Sequence, residues 1–348
     1  MTHMIKIGKH AIGVGHKTLI VAEMSGNHNH DIKRAFKIID AAADAGADAI
    51  KLQTYTPDTL TIDSDTKPFM VTWKGKRRTL YDLYGEAHTP WAWHAKLFAH
   101  AKKRGLLCFA TPFDKTAVDF LEKLNVSCYK VASFEIVDIP LLEAIGKTKK
   151  PVIMSRGMAS AEEITLAIKT LRTFGTKEII LLHCVSAYPA SASDMNLSTI
   201  PDMRKRFGVQ VGLSDHTLGT DISVASIALG ACIIEKHFTL RRADGGPDSS
   251  FSLEPKELSA LVQSVRTVEK ALGKPSYTQS KDEKANIVFR KSLFVVKDVK
   301  KGERFTSENV RSIRPGNGMA PKFYRSVLGS RAARDIKRAT PLQNNLIA

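Results

Sequence analysis

Short apolar runs alternate with amphipathic segments over the first three quarters of the chain. Eight of these runs have the length of buried strands: Leu19–Glu23, Ala49–Gln53, Leu106–Thr111, Cys128–Ser133, Val152–Ser155, Ile179–Val185, Val211–Ser214 and Ile233–His237. Segments with helical periodicity lie between and after them: Ile32–Ala45, Trp91–Arg104, Thr116–Leu124, Ala161–Phe174, Ile222–Gly230 and Pro255–Leu272. This alternation predicts a (β/α)8 TIM barrel rather than an open doubly wound sheet.

The pattern changes after residue 272. Residues 273–286 are rich in Lys, Pro, Ser, Gln and Asp, which is typical of a linker. Residues 287–348 contain short strand-like pieces and a turn cluster at Pro315–Gly318, which predict a small domain of mixed β and turn structure. The predicted domains are therefore 1–272 and 287–348, joined by 273–286. The connection from Gln53 to Pro90, with the basic run Lys74–Arg78, is long enough to be a lid or a subunit contact.

The net charge of +17 raises the possibility of nucleic-acid binding. From Lys281 to the end, 16 Lys or Arg residues stand against 6 Asp or Glu residues, so most of the excess lies in the last fifth of the chain. This region has no RNP-like aromatic pattern, no zinc-finger spacing and no continuous basic helix, so we expect no nucleic-acid partner. A basic surface could instead concentrate an anionic substrate.

Other features of the sequence indicate a cytoplasmic protein. No apolar run approaches the roughly 20 residues that a membrane span requires, and the N-terminus lacks a signal-peptide core. The four cysteines lie far apart in apolar runs without CxxC spacing. We expect them to be reduced and buried, with no membrane association of the chain.

Two of the predicted strands end close to a histidine. His216 follows the run Gly212–Asp215, and His237 ends the run Ile233–His237. If these strands are adjacent and parallel, the two imidazoles converge at one end of the sheet and could hold a divalent metal. The alternative is that they are two unrelated polar residues at strand ends.

Lysines and hydroxyl residues also collect at the predicted strand ends, where a (β/α)8 barrel carries its active site. Lys51, Lys130 and Lys236 are expensive to bury without an anionic partner. Side-chain alternation lets Gln53 point the same way as Lys51, and His216 the same way as Ser214. The pattern predicts a bound phosphate or carboxylate. A lysine could instead pair with Glu23 or Glu135, or act as the nucleophile of a Schiff-base aldolase.

Four segments resemble motifs of the sialic acid synthase family: 22–28 (AEMSGNH), 46–54 (GADAIKLQT), 212–216 (GLSDH) and 235–238 (EKHF). The resemblance extends over essentially the whole chain. The C-terminal region resembles the antifreeze-like module of that family (SAF, a β-clip fold). The resemblance implies a condensation of phosphoenolpyruvate with an N-acetylated amino sugar that gives a nine-carbon 2-keto acid and phosphate.

Within the family the chain is most similar to the branch that makes pseudaminic acid. The similarity rests on segments 54–58, 80–84, 132–135 and 321–324. N-acetylneuraminate synthases usually have Gly-Ser-Gly-Glu at 132–135 and Gly-Pro-Asp-His at 246–249, where this chain has ASFE and GPDS. The resemblance implies 2,4-diacetamido-2,4,6-trideoxy-altrose as the sugar, and N-acetylneuraminate or legionaminate synthesis is the alternative.

The resemblance also assigns roles to individual residues. His216 and His237 would bind Mn²⁺ (or Mg²⁺), and either Glu23 or Glu135 would position the attacking water. Phosphoenolpyruvate would be held by Lys51, Thr111, Lys130, Ser133, Ser155, Ser186 and Ser214. The sugar would contact Asn27, Gln53, Tyr188 and Asp248. Arg314 would reach the sugar site of a neighbouring subunit, which implies a domain-swapped homodimer.

Overall fold

The computed structural model describes residues 3–73 and 75–348, so Lys74 of the predicted basic run lies outside the described residues. The chain forms two compact units, Met1–Gly273 and Lys274–Ala348. The first unit is built around a closed barrel of eight parallel strands. The predicted TIM-barrel fold is therefore confirmed.

The barrel contains all eight of the predicted strands, with ends that differ by at most two residues. The strands of the first unit are β1 Ile5–Ile7, β2 His10–Ile12, β3 Leu19–Glu23, β4 Ala49–Thr54, β5 Met70–Trp73, β6 Lys76–Thr79, β7 Leu107–Pro112, β8 Tyr129–Val131, β9 Val152–Ser155, β10 Ile179–Cys184, β11 Gln210–Asp215 and β12 Ile233–His237. The barrel runs in the order β3, β4, β7, β8, β9, β10, β11 and β12. It closes between β12 and β3, where His237 is opposite Glu23.

The helices of the first unit surround this barrel. They are α1 Ile32–Asp44, α2 Pro57–Leu60, α3 Leu80–Ala87, α4 Trp91–Lys103, α5 Lys115–Lys123, α6 Ile139–Lys147, α7 Ala161–Thr173, α8 Thr199–Phe207, α9 Asp221–Ala228 and α10 Pro255–Leu272. Helices α2, α3, α6 and α8 were not among the predicted segments. Helix α6 is mostly apolar and α8 mostly polar. The structure contains no helix long and apolar enough to cross a membrane among the described residues.

Side-chain alternation along the strands separates two layers of core. One layer fills the barrel interior with side chains such as Leu19, Phe109 and Ile233. The other layer, with Leu213 and Ile234 among its members, packs between the strands and the helices. Successive residues of a strand point to opposite sides. Along each strand, every second residue therefore faces the interior and the residues between them face the helices.

A hairpin of β1 and β2 covers the amino end of the barrel. Ile5, Ile7 and Ile12 belong to the interior core, and Nε2 of the Gln210 side chain, at the start of β11, donates to the carbonyl of His3 at 2.8 Å. The carboxyl ends of the strands lie at the opposite end, which is the usual position of a barrel active site.

The long connection between β4 and α4 is structured. It contains α2, the antiparallel hairpin β5–β6 and α3. The hydroxyl of Thr79 accepts from the amide of Asp82 at 3.0 Å and so caps α3. The Tyr81 hydroxyl donates to Asp58 at 3.1 Å, which links α3 to α2.

The second unit is a small domain with its own core. Its elements are α11 Lys281–Ala285, β13 Ser292–Val295, β14 Val310–Ile313 and α12 Tyr324–Val327. Strands β13 and β14 pair antiparallel over a core that includes Leu293, Phe305 and Leu342. The segment predicted as a linker contains α11 and falls, from Lys274 onward, in this unit. A Cβ at Gly318 would lie 2.3 Å from the carbonyl of Leu293, so this turn position requires glycine.

Candidate active site

Lys51 occupies the centre of the carboxyl end of the barrel. It points inward from β4, is 4% exposed, and lies 3.1 Å from Glu23 Oε2 and 2.9 Å from Glu235 Oε1. Its ammonium also approaches the Thr111 hydroxyl at 3.5 Å. Burial alone would lower the pKa of Lys51, but the two carboxylates outweigh it and raise the pKa, so this lysine is a fixed cation.

Glu235 is a central residue that the strand-end analysis did not select. It points inward two residues before His237, where alternation places it on the same side. Its Oε1 accepts from Ser214 Oγ at 3.4 Å, and its Oε2 is buried without a hydrogen-bond partner. Burial opposes ionisation of this carboxyl, but Lys51 and Lys130 together lower its pKa. The two-residue spacing from His237 was the signal that could have identified it.

The structure corrects the prediction for Lys236. Its alternation with Glu235 and His237 turns it outward, and its ammonium pairs with Asp215 at 3.0 Å in the layer between strands and helices. It therefore lies behind the barrel wall and is not part of the mouth. Two lysines, and not three, face the carboxyl end from the strands.

Lys130 is the cation best placed to receive an anion. Its ammonium is 1% exposed and donates to Ser155 Oγ at 2.7 Å and to the carbonyl of Val131 at 2.9 Å. Among the described residues no carboxylate lies within ion-pair distance of it. Burial lowers its pKa to about 8, which is the behaviour of a cation that lacks a close counter-charge.

Hydroxyl groups from two loops extend this polar surface. Ser186 Oγ donates to Ser133 Oγ at 2.8 Å, and the Tyr188 hydroxyl interacts with Ser133. Gly157 fits against this pair with a φ of +49°, and a Cβ there would lie 2.3 Å from the Cβ of Ser133. Glycine at 157 thus permits the two serines to meet.

Glu135 begins a 3-10 helix just after β8, and one of its carboxylate oxygens, Oε2, is buried without a hydrogen-bond partner. Burial raises the pKa of this carboxyl to about 7, and the charges of Lys130 and Lys51 moderate the effect. A carboxyl group that titrates near neutral pH can accept and release a proton at that pH.

Glu23 is held differently from Glu135. It is fully buried, and its Oε1 accepts from the amide of Ser25 at 3.0 Å and from the Gln53 side chain at 3.1 Å, while Lys51 contacts its Oε2. Burial raises its pKa to about 7 despite Lys51. Glu23 is held by two hydrogen bonds and an ion pair, whereas Glu135 makes no ion pair among the described residues, so Glu135 is the freer of the two to bind water.

His216 and His237 meet at this end of the barrel, with ring centroids 5.4 Å apart. His216 Nδ1 lies 2.9 Å from the carbonyl of Val185. Because a carbonyl only accepts, Nδ1 carries the hydrogen and the lone pair of Nε2 remains available. Burial lowers the pKa of both rings, so both are neutral, the form that binds metal.

The two rings fit a divalent ion with few protein ligands. His237 Nδ1 is buried without a hydrogen-bond partner and lies 3.7 Å from Asp248 Oδ2. Among the described residues no group of three or more His, Cys, Asp or Glu side chains has the arrangement of a metal site. Two imidazoles without a third protein ligand fit a site whose remaining positions are filled by water or substrate.

Tyr188 and Phe251 form an aromatic wall against these histidines. The Tyr188 ring lies 4.3 Å from that of His216, and the Phe251 ring lies 5.0 Å from that of His237. Tyr188 is exposed, so its ring is accessible at the mouth. The structure therefore brings Tyr188 to the mouth beside the two histidines, and its predicted contact with the sugar stays a prediction.

A chain of hydrogen bonds joins three other residues of the predicted site. Gln53 Nε2 donates to Ser25 Oγ at 3.1 Å, and that hydroxyl donates to Asp248. Gln53 and Asp248 are thus connected with Glu23 on one side of the mouth. Ser25 was not predicted, although its position two residues after Glu23 places it in the same loop.

Asn27 lies deeper than the prediction implied. It is fully buried, and its amide nitrogen donates to the carbonyl of Phe238 at 3.0 Å and to Ser252 Oγ at 2.9 Å. Ser252 in turn donates to the carbonyl of Asp248 at 2.7 Å. These bonds make Asn27 a support of the segment that carries Asp248, while its buried Oδ1 has no partner.

The remaining predicted site residue, Arg314, belongs to the second unit. It directly follows β14 and its side chain is exposed. Its predicted role at the sugar site of another subunit stays a prediction.

Comparisons with known proteins identify the family of the chain. The chain matches the model of the NeuB family over residues 38–277 and that of the SAF domain over residues 290–348. It is 45% identical to a pseudaminic acid synthase of Campylobacter jejuni, covering 92% of this chain and 94% of the relative. It is 40% identical to an N,N'-diacetyllegionaminic acid synthase of the same species, covering 92% and 97%.

A solved structure gives the same result for the fold. N-acetylneuraminic acid synthetase of Leptospira borgpetersenii, determined in complex with citrate, superimposes with a TM-score of 0.74 and 36% identity. The match covers 82% of this chain and 96% of that protein. On the family model and the identities together, the chain belongs to the NeuB family and ends in a SAF domain.

Proposed function

We propose that the protein is a pseudaminic acid synthase, which condenses phosphoenolpyruvate and water with 2,4-diacetamido-2,4,6-trideoxy-altrose. The observation that carries the proposal is the combination at one barrel mouth of two neutral histidines with the buried cations Lys51 and Lys130. This is a site for an anion beside a metal. The sugar is chosen from the higher identity to a pseudaminic acid synthase than to a legionaminic acid synthase.

Phosphoenolpyruvate is held at the cationic side of the mouth. Lys130 has no carboxylate within ion-pair distance among the described residues, so a phosphate or carboxylate of the substrate can become its counter-charge. Lys51 already contacts two carboxylates and adds a fixed positive field. Hydroxyl donors surround this position: Thr111, Ser133, Ser155, Ser186 and Ser214.

The sugar is placed at the histidine side. His216 and His237 would hold Mn²⁺ or Mg²⁺, which when bound supplies a Lewis acid that polarises the aldehyde of the open-chain sugar. The ring of Tyr188 and the carboxylate of Asp248 border the same space. Phe251 adds an apolar surface that suits the deoxy position of a 6-deoxy sugar.

Carbon 3 of phosphoenolpyruvate attacks the sugar aldehyde and forms the new C–C bond, while the C=O π electrons move to the aldehyde oxygen, which takes a proton from water. Positive charge develops at carbon 2, where Glu235 and Glu23 stabilise it. Water adds to carbon 2 and gives one proton to Glu135. The C–O bond to phosphate then breaks, the remaining hydroxyl proton passes to the departing phosphate, and carbon 2 becomes the ketone. The rate gain comes mainly from holding the two substrates together and from charge stabilisation.

The enzyme is also proposed to act as a domain-swapped homodimer in the cytoplasm, where phosphoenolpyruvate is formed. Phe134, Met158 and Leu218 are exposed on loops that follow β8, β9 and β11. Such an apolar rim suits contact with another protein surface. We assign the SAF unit of a second copy as the occupant, which brings Arg314 to the partner's sugar.

A parallel assay of phosphate release tests the choice of sugar. The enzyme is supplied with phosphoenolpyruvate, Mn²⁺ and either the altrose derivative, the legionaminate precursor or N-acetylmannosamine. We expect the highest kcat/KM with the altrose derivative. A higher value with the legionaminate precursor would transfer the assignment to legionaminic acid synthesis.

A further inference from the structure

A buried ion pair lies directly behind the two histidines. Asp215 on β11 and Lys236 on β12 are opposite each other in the strand pairing, and their charged groups are 3.0 Å apart. Both side chains are at most 1% exposed. Each is the chain neighbour of a histidine, since Asp215 precedes His216 and Lys236 precedes His237.

The Asp215 carboxylate binds Thr217, the residue that follows His216, and Ser223 of helix α9. Its Oδ1 accepts from the amide of Thr217 at 2.9 Å and from the Thr217 hydroxyl at 2.7 Å. Its Oδ2 accepts from Ser223 Oγ at 2.6 Å, which attaches α9 to the same group. Residues on both sides of His216 are therefore fixed by one carboxylate.

Lys236 connects this turn to the neighbouring strand. Its ammonium donates to the carbonyl of Thr217 at 2.6 Å as well as to Asp215. The residue after His216 is thus bonded to the residue before His237. The distance between the two histidine rings depends on how the ends of β11 and β12 lie relative to each other. The bonds of Lys236 to Asp215 and to Thr217 hold these two ends together.

We propose that Asp215 and Lys236 are positioning residues, which hold His216 and His237 at the separation at which both can bind one divalent ion. This inference rests on the metal site of the proposed function. It gives Asp215 of the segment SDH and Lys236 of the segment EKH a role in the metal site, although both lie behind the barrel wall and do not contact substrate. Groups that orient metal ligands commonly change metal affinity by about 10–100-fold when they are removed.

A buried ion pair could also act on stability alone, and the chain offers a matched control. Arg266 Nη2 pairs with Asp48 Oδ2 at 2.7 Å at the amino end of the barrel, and Asp48 also accepts from the amide of Ile20 at 3.0 Å. Arg266→Met breaks this largely buried pair at the end of the barrel far from the histidines.

The test is the affinity of the full-length protein for Mn²⁺ without substrates, measured by calorimetry, together with the melting temperature. We expect Lys236→Met and Asp215→Asn to weaken Mn²⁺ binding by about 10–100-fold. Arg266→Met should lower the melting temperature and leave Mn²⁺ affinity unchanged. If Lys236→Met does not fold, the double variant Asp215→Asn/Lys236→Met replaces it, since it leaves no unpaired charge.

His237→Ala separates the two levels of the proposal. Mn²⁺ binding that is lost in His237→Ala but unchanged in Lys236→Met would overturn the positioning role and leave the metal site intact. Equal Mn²⁺ binding by the wild type and His237→Ala would overturn the metal site itself and with it the positioning role.

Discussion

The ammonium of Lys51 lies 2.9 Å from Glu235 Oε1, inside the barrel and almost out of contact with solvent. Glu23 contacts the same ammonium from β3. Lys51 therefore neutralises two buried carboxylates in addition to lying in the site. Lys130 has no such partner among the described residues, and the difference has measurable consequences.

Substitution of the two lysines should separate stability from substrate binding. Lys51→Met leaves two carboxylates buried without their cation, and we expect a loss of roughly 3–5 kcal/mol in the free energy of unfolding. Lys130→Met removes a cation whose burial is largely uncompensated, so stability should be kept or increased. Both variants should bind phosphoenolpyruvate weakly. Denaturant unfolding and KM measurements check this, and equal destabilisation by both changes would contradict it.

The stability of the metal-free enzyme should depend on Glu135 in a defined pH window. Burial raises the pKa of this carboxyl to about 7, above its ordinary value in an unfolded chain. Its contribution to stability is therefore fully present at acidic pH and is lost as the pH rises through about 7. Glu135→Gln lacks this loss, so its stability relative to the wild type should increase from pH 5 to pH 8. A difference that does not change with pH would contradict the assignment.

The proposed histidine site predicts dependence on a divalent metal. Dialysis against EDTA should abolish phosphate release, and Mn²⁺ should restore it, because two imidazoles hold a metal weakly without further protein ligands. His237→Ala should remain folded by circular dichroism and show no turnover. Full turnover after metal removal would exclude the proposed role of the histidines.

The domain-swapped dimer can be tested by complementation between two inactive variants. Arg314→Ala lacks the arginine, and His237→Ala lacks a histidine of the barrel. If Arg314 serves the partner's barrel, mixed dimers contain one complete site, and subunit exchange should restore about a quarter of wild-type activity. No recovery, despite mixed dimers detected by native mass spectrometry, would place both residues in the site of one chain.

Much of the barrel follows from the sequence, because buried parallel strands form short apolar runs that are easily recognised. Alternation also placed Lys51 with Gln53 and Ser214 with His216 correctly. The same rule applied backward from His237 would have turned Lys236 outward and Glu235 inward. The prediction for Lys236 is wrong because a position at the end of a strand does not decide which side of the barrel wall a side chain faces.

Other parts of the site depend on contacts between distant segments. No local pattern shows that Ser25 meets Asp248, or that Asn27 supports the Asp248 segment through Ser252. The partnership of Lys51 with Glu235 likewise requires the ring of strands to close. The sequence predicts the residue types at the mouth, while their pairing is determined by the closed barrel.

The most direct test of the proposed reaction is the destination of the bridging oxygen of phosphoenolpyruvate. The substrate is labelled with ¹⁸O between carbon 2 and phosphorus and incubated with the enzyme, Mn²⁺ and the altrose derivative. Cleavage of the C–O bond predicts that the label appears in the released phosphate. Label retained in the keto acid, or no phosphate released with the sugar present, would contradict the account.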